Sequence, residues 1–244
     1  MLEQKAFAIL SEMKSFSFGD FFAASKNSGS PLGEASMRKK LQSLLKDGEI
    51  IRVGRNAYCI PTNAVRRYHY EYSEIARSIA QVICDTYPSL NFTIFELIQL
   101  NEFVNHQLAH NALFLSVEED LSDFVFETLK EHFPGKVLLD PTPELYHKYW
   151  YDDMIVIEKL VTEAPLGCAE PWHTRLEKLL IDLISDPLLM ETVSESEIPV
   201  ILEDAFAKYV IDESRLFRYA KRRGAENRFK TIVREKTNIA LRTE

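Results

Sequence analysis

Residues 36–61, SMRKKLQSLLKDGEIIRVGRNAYCIP, decide the reading of the fold. Met37, Leu41, Leu44 and Leu45 recur at helical spacing and predict an amphipathic helix over 34–47. Its opposite face carries Ser36, Lys39, Lys40, Ser43 and Lys46, flanked by Arg38 and Gln42. Asp47-Gly48 is a turn signal. A short β-ribbon follows, with Arg52 on its first strand, Gly54-Arg55-Asn56 at its tip and Pro61 at its end. Helix, turn, strand, basic tip, strand is the order of the last helix and wing of a winged helix-turn-helix. It puts cations on the two surfaces that reach a duplex.

Upstream, Leu2, Ala6, Ile9, Leu10 and Met13 share one stripe of a first helix over 2–14. Phe16-Ser17-Phe18 reads as the small strand of a winged domain, and a short helix over 20–25 has Asp20 as its cap. The turn at 26–33, KNSGSPLG, is long for a minimal helix-turn-helix. Residues 1–70 therefore form one domain, joined through 62–72 to a second over 71–244. In the second, helices are expected at 73–86, 118–132, 174–185 and 196–209, with strands at 91–97, 112–117, 136–140 and 154–160. Strands alternating with amphipathic helices predict a mixed α/β domain with a helical C-terminal region, and an α+β chain as a whole.

The formal net charge of −8 is divided unevenly. Residues 1–70 hold eleven Lys/Arg and six acids, a net +5, and residues 215–244 hold ten bases and three acids, a net +7. The intervening 71–214 carry eight bases and 28 acids, a net −20. Phosphate neutralisation needs local positive charge, so an acidic chain is compatible with DNA binding. The C-terminal bases Arg218, Lys221, Arg222, Arg223 and Arg228 form either a second patch or a helix face that balances the acidic middle. No apolar run approaches the ~20 residues of a membrane span. The start, MLEQKAFAIL, lacks the features of a secretory signal. Cys59, Cys84 and Cys168 form neither a zinc pattern nor a disulfide framework. The chain reads as soluble and cytoplasmic, with no membrane partner.

Two segments carry a family resemblance. LLKDGEIIRVGRNAYCIP resembles the helix, basic wing tip and Tyr-containing closing strand of the AbiEi-type antitoxins of type IV toxin–antitoxin systems and related predicted viral-defence regulators. Thr174-Arg175-Leu176-Glu177-Lys178-Leu179-Leu180-Ile181-Asp182-Leu183 is similar to that family's central helix, which follows a Pro-containing loop. The resemblance implies a DNA-binding regulator that represses its own operon and is paired with a nucleotidyltransferase-like toxin. It assigns contact with double-stranded operator DNA to Ser36, Arg38, Lys39, Lys40, Ser43 and Lys46 on the helix, and to Arg52, Arg55 and Asn56 on the wing. The chain departs from the family in its longer turn and in Gly-Arg-Asn at the tip, where a second glycine is common.

Enzyme signals are weak. Gly29-Ser30 and Asp152-Asp153 do not assemble the paired carboxylates of a nucleotidyltransferase. Asp140 and Glu158-Lys159 suggest a diverged restriction-endonuclease-like site, with the lysine at the wrong spacing. His106 and His110 stand at i, i+4 with no third ligand beside them. No Gly-rich phosphate loop or Gly-x-Ser-x-Gly elbow occurs. The expectation is a regulator without catalytic residues, metal or cofactor. Its rivals are a DNA-processing enzyme and a protein-interaction module that has lost DNA binding.

Overall fold

Ser17 and Asp20 set where the chain enters the first long helix of its N-terminal part. In the computed structural model, which describes residues 4–13, 15–46, 49–60, 67–104, 106–167 and 170–241, Ser17 caps a helix over Phe18–Asn27. Its hydroxyl accepts from the Asp20 backbone N–H, and the Asp20 carboxylate accepts from the Ser17 N–H at 2.8 Å. This reciprocal box moves the helix start ahead of the expected 20–25 and makes Asp20 its third residue instead of its cap. Asp20's carboxyl is held below its ordinary range by those Ser17 bonds. Gly29, at φ 92, ends the helix in the left-handed conformation that a side chain disfavours.

The first helix is α1 (Gln4–Ser11), the capped one α2 (Phe18–Asn27), and the basic one α3 (Glu34–Lys46). Ala6, Leu10, Phe16, Phe21, Met37, Leu41, Leu44 and Ile50 bury themselves together. Ile9 and Met13, expected on the same buried stripe of α1, are instead 42% and 41% exposed, so that helix buries a narrower face. Strands β1 (Ile51–Gly54) and β2 (Ala57–Cys59) pair antiparallel, with a register shift between Arg52 and Gly54. Phe16 joins them through two backbone bonds to Tyr58, N–H to O at 2.8 Å and O from N–H at 2.9 Å. The expected small strand is thus a single bridge.

Asn56 sits at the ribbon turn with φ 53, a left-handed conformation that Asn tolerates better than most residues. Its Oδ1 accepts from the Phe18 N–H at 3.2 Å, which ties the ribbon tip to the start of α2. The other side of the ribbon is closed from far along the chain. Val210 packs on Ile51, Val53 and Cys59, Tyr209 meets the Tyr68 ring edge-on at 5.2 Å, and Ser214 Oγ accepts from the Arg55 N–H at 2.8 Å. One compact unit is accordingly Met1–Tyr68 with Ala205–Phe217 and Ile239–Glu244, and the other is His69–Asp204 with Arg218–Asn238. The contiguous division at residue 70 omits the returning segment.

The second unit is built on four strands, β3 (Phe92–Glu96), β4 (Ala112–Val117), β5 (Val137–Leu139) and β6 (Met154–Lys159), in the order β3-β4-β6-β5. β3 runs antiparallel to β4, whereas β4, β6 and β5 are parallel. Such a sheet needs cover on both faces, and β3 and β4 are buried along their whole lengths. Ile79 and Ile83 of α4 (Glu74–Thr86) and Val125 and Leu129 of α5 (Ser122–His132) pack on Ile94, Leu113, Leu115 and Ile157. On the opposite face Phe114 meets Tyr146 of α6 (Pro143–Lys148), and Ser116 meets α7 (Leu176–Ser185). The chain ends through α8 (Pro187–Met190), α9 (Ile198–Lys208), α10 (Glu213–Arg222) and α11 (Glu226–Lys236). Helix and strand are mixed as expected, and α6 and α8 are additions to the sequence reading.

Replacing Asn56 with Ala removes the Phe18 bond and puts a Cβ that lacks the Asn compensation at positive φ. Chemical denaturation of that variant should show a loss of about 1–2 kcal/mol. Asn56→Gly, which relieves the backbone and loses only the bond, should lose less.

Candidate nucleic-acid interface

Helix α3 divides its surface cleanly. Met37, Leu41 and Leu44 are buried, and Ser36, Arg38, Lys39, Gln42 and Ser43 are exposed. Lys40 is half-buried, and the side chain of Lys46 lies outside the described residues, as do Asp47 and Gly48. Ser36, Lys39, Lys40 and Ser43 recur three, four and seven residues apart, so they form one row along the helix. Arg38 is differently engaged. Its guanidinium pairs with Glu34 at 2.7 Å and lies over the Phe18 ring, 4.1 Å from the centroid. That stacking holds a cation at the junction of α2 and α3.

The ribbon presents Arg52, Arg55 and Asn56 as exposed residues. Arg52 Nε donates to the Gly54 carbonyl at 3.1 Å, which folds its side chain along the ribbon toward the tip. Arg55 has its backbone fixed by Ser214, leaving the side chain in solvent. Asn56 spends its carbonyl oxygen on Phe18, so its amide NH2 is the part left for an external acceptor.

The C-terminal bases are extensively paired. Arg218 and Arg222 both reach Glu163, at 3.4 and 2.7 Å, and these arginines hold the Glu163 carboxyl below its ordinary range. Arg228 meets Glu195 at 3.4 Å, and Arg223 is drawn between Asp182 and Asp186 at 3.2 Å each. Those contacts favour the reading in which these bases balance acids within the second unit. Among the described residues, no helix is long and apolar enough to cross a membrane, and no group of three His/Cys/Asp/Glu is arranged to hold a metal ion. His106 and His110 lie in an irregular segment, so their spacing does not put them on one helix face. Cys59 is buried and Cys84 exposed, and Cys168 lies outside the described residues.

A family model covers residues 36–239, from the exposed row of α3 to beyond α11. The chain belongs to DUF6577, a family of unknown function. No curated protein matches it. Among solved structures, the RV2827C protein from Mycobacterium tuberculosis is similar at 11% identity, over 98% of this chain and 83% of that one. Its TM-score of 0.25 is too low to bear on fold or function.

Within the matched DUF6577 region lies a polar network that pattern reading missed. Lys178, only 3% exposed, pairs with Asp182 at 2.7 Å and donates to Ser116 Oγ at 3.0 Å. Tyr219 donates to Asp182 at 2.7 Å, and Ser116 donates to Glu158 at 2.9 Å. Thr174 adds a bond from its hydroxyl to the Ile94 carbonyl, and its N–H donates to the Tyr72 hydroxyl, both at 2.8 Å. The signal was present in the sequence: Lys178 and Asp182 are i, i+4 inside a helix rich in Leu and Ile, and Ser116 interrupts an apolar strand. Asp140 and Glu158, on neighbouring parallel strand ends, line one cleft of about 240 Å³ with Glu119, Ser122, Asp123, Leu139 and Lys159. Lys159 is ion-paired there with Glu119. Asp152 and Asp153, by contrast, are taken up by Asn111.

Part of Glu158 reaches the surface, yet its carboxyl belongs to the network. Burial, then repulsion from Asp186, pushes its pKa up to about 7, against the pull of Lys178. Between the ordinary value of 4.5 and about 7 the folded protein keeps a proton that the unfolded chain has released. Stability therefore falls as pH rises through that window, by up to about 3 kcal/mol once above it. Urea titrations at pH 5 and pH 8 should show this loss, and Glu158→Gln should flatten it.

Proposed function

We propose that this DUF6577 member is a DNA-binding transcriptional regulator whose N-terminal unit is a winged helix-turn-helix. The observation that carries the reading is the outward row Ser36, Lys39, Lys40 and Ser43 on a helix whose other side is core, followed in the chain by a ribbon with Arg52 on its first strand and Arg55 at its tip. The resemblance to AbiEi-type antitoxins extends the proposal to repression of its own operon and to a nucleotidyltransferase-like toxin as partner.

In this reading α3 enters the major groove. Lys39 and Lys40 donate to guanine O6 and N7, while Ser36, Gln42 and Ser43 read neighbouring base edges. Arg38, held by Glu34 and Phe18, serves as a fixed cation toward phosphate. Arg55 and Arg52 meet the backbone or minor groove and set register and affinity. Asn56 completes the surface at the ribbon tip.

The experiment is binding of the chain to its own upstream DNA against a scrambled duplex, titrated across salt. Preferential binding is expected. Lys39→Ala should cost about 1–3 kcal/mol on the specific duplex and narrow the preference. Arg55→Ala should weaken both duplexes alike and reduce the salt slope by about 1. Indifference to both duplexes at low salt overturns the proposal.

The cleft that gathers Asp140, Glu158 and Lys159 favours one second reading, a DNA-processing enzyme delivered by the same N-terminal unit. It requires magnesium-dependent cleavage of plasmid DNA that Asp140→Asn abolishes. Intact plasmid, or cleavage that survives the substitution, removes it.

A further inference from the structure

The segment after α6 exposes three consecutive aromatic side chains: Tyr149 is 54% exposed, Trp150 41% and Tyr151 51%. Exposed aromatics in a row are costly on a free surface, and here the backbone that carries them is firmly held. Tyr149 N–H donates to the Leu145 carbonyl at 3.0 Å, and Met154 N–H to the Tyr151 carbonyl at 3.1 Å. Asn111 clamps the far end: its N–H donates to Asp152 at 2.9 Å, its Nδ2 to Asp153 at 3.3 Å, and its carbonyl accepts from the Asp153 N–H at 2.9 Å. Asn111 is itself braced by buried Glu96 at 3.1 Å, and Asp153 adopts φ 58. Buried polar groups and a left-handed residue are thus used to hold aromatic rings outward. Such fixed rings lose little entropy on binding.

We infer that Tyr149, Trp150 and Tyr151 form a docking surface for an arginine-rich segment of a partner protein. Charge selects the partner. From Asp140 to Asp153 the chain carries four acids and one lysine, within a unit, His69–Asp204 with Arg218–Asn238, that holds 28 acids against 15 Lys/Arg. That field draws a basic protein and repels a nucleic acid. The rings already accept cations: Lys148 lies 5.2 Å from the Tyr149 centroid and Lys136 5.2 Å from that of Tyr151. Trp150 meets His110 edge-on at 5.2 Å and hydrogen-bonds with Tyr146. A guanidinium can stack on such a ring while its fork reaches a carboxylate, which an ammonium cannot do. Docking at this surface stands independently of DNA binding by the first unit.

The test titrates the full chain with deca-arginine, deca-lysine and an oligothymidylate by calorimetry at physiological salt. Deca-arginine is expected to bind about tenfold tighter than deca-lysine, and a Tyr149→Ser, Trp150→Ser, Tyr151→Ser variant to lose that preference. Trp150→Ala alone, with an unchanged melting temperature, should lose part of it. Equal binding of the two peptides, or undiminished preference in the variants, overturns the assignment in favour of a general acidic field. Stronger binding of oligothymidylate overturns it in favour of a single-stranded nucleic acid.

Discussion

The buried pair between Lys178 and Asp182 is the constraint on which the second unit depends. Removing both charges from water costs several kcal/mol for each ion, and the attraction between them offsets this only when the remaining donors and acceptors are filled. They are filled from three directions: Ser116 from the sheet, and Tyr219 and Arg223 from α10 and the turn after it. Lys178 fixes the rotation of α7 against β4, because its amine must meet the one hydroxyl on that face of the strand. The same hydroxyl passes the constraint on to Glu158 and so to the cleft at the strand ends. Two cations then face three carboxylates, and the surplus acid is the one that keeps its proton near neutrality.

In the first unit the corresponding role falls to backbone pairing. Phe16 and Tyr58 exchange two bonds, Asn56 holds the N-terminus of α2, and Met37, Leu41 and Leu44 fill the space between. The polar residues of α3 are left outward because the helix has only one apolar stripe. Glu34, at the start of α3, is engaged by Arg38. Charge in the two units is therefore organised differently, with Lys39 outward on α3 and with Arg218, Arg222, Arg223 and Arg228 paired to acids of the second unit.

Much of this was legible in the sequence. The strand at Ala112–Val117 falls on its expected residues because an apolar run of that length between polar segments has few alternatives. Helix α3 was marked by its stripe. α6 and α8 span six and four residues, too short for periodicity to register. Their signal was instead the capping residue before proline: Thr142 ahead of Pro143, and Asp186 ahead of Pro187. Asn56 was assigned to the DNA surface by the family resemblance, and only the three-dimensional position of Phe18 reveals its other use. The return of Val210 and Ser214 to the ribbon left no local mark, since long-range packing carries no period.

That return has a consequence for how the protein is made. The apolar side of the ribbon, with Ile51, Val53 and Cys59, emerges early from the ribosome, but Val210 and Ser214 follow some 150 residues later. At elongation rates of about 5–20 residues per second the gap is roughly 10–30 s. During that time the ribbon lacks its cover and its tip lacks the Arg55–Ser214 bond. The N-terminal unit is thus completed after synthesis of most of the chain, and a truncated or stalled product carries α3 beside an unfinished ribbon.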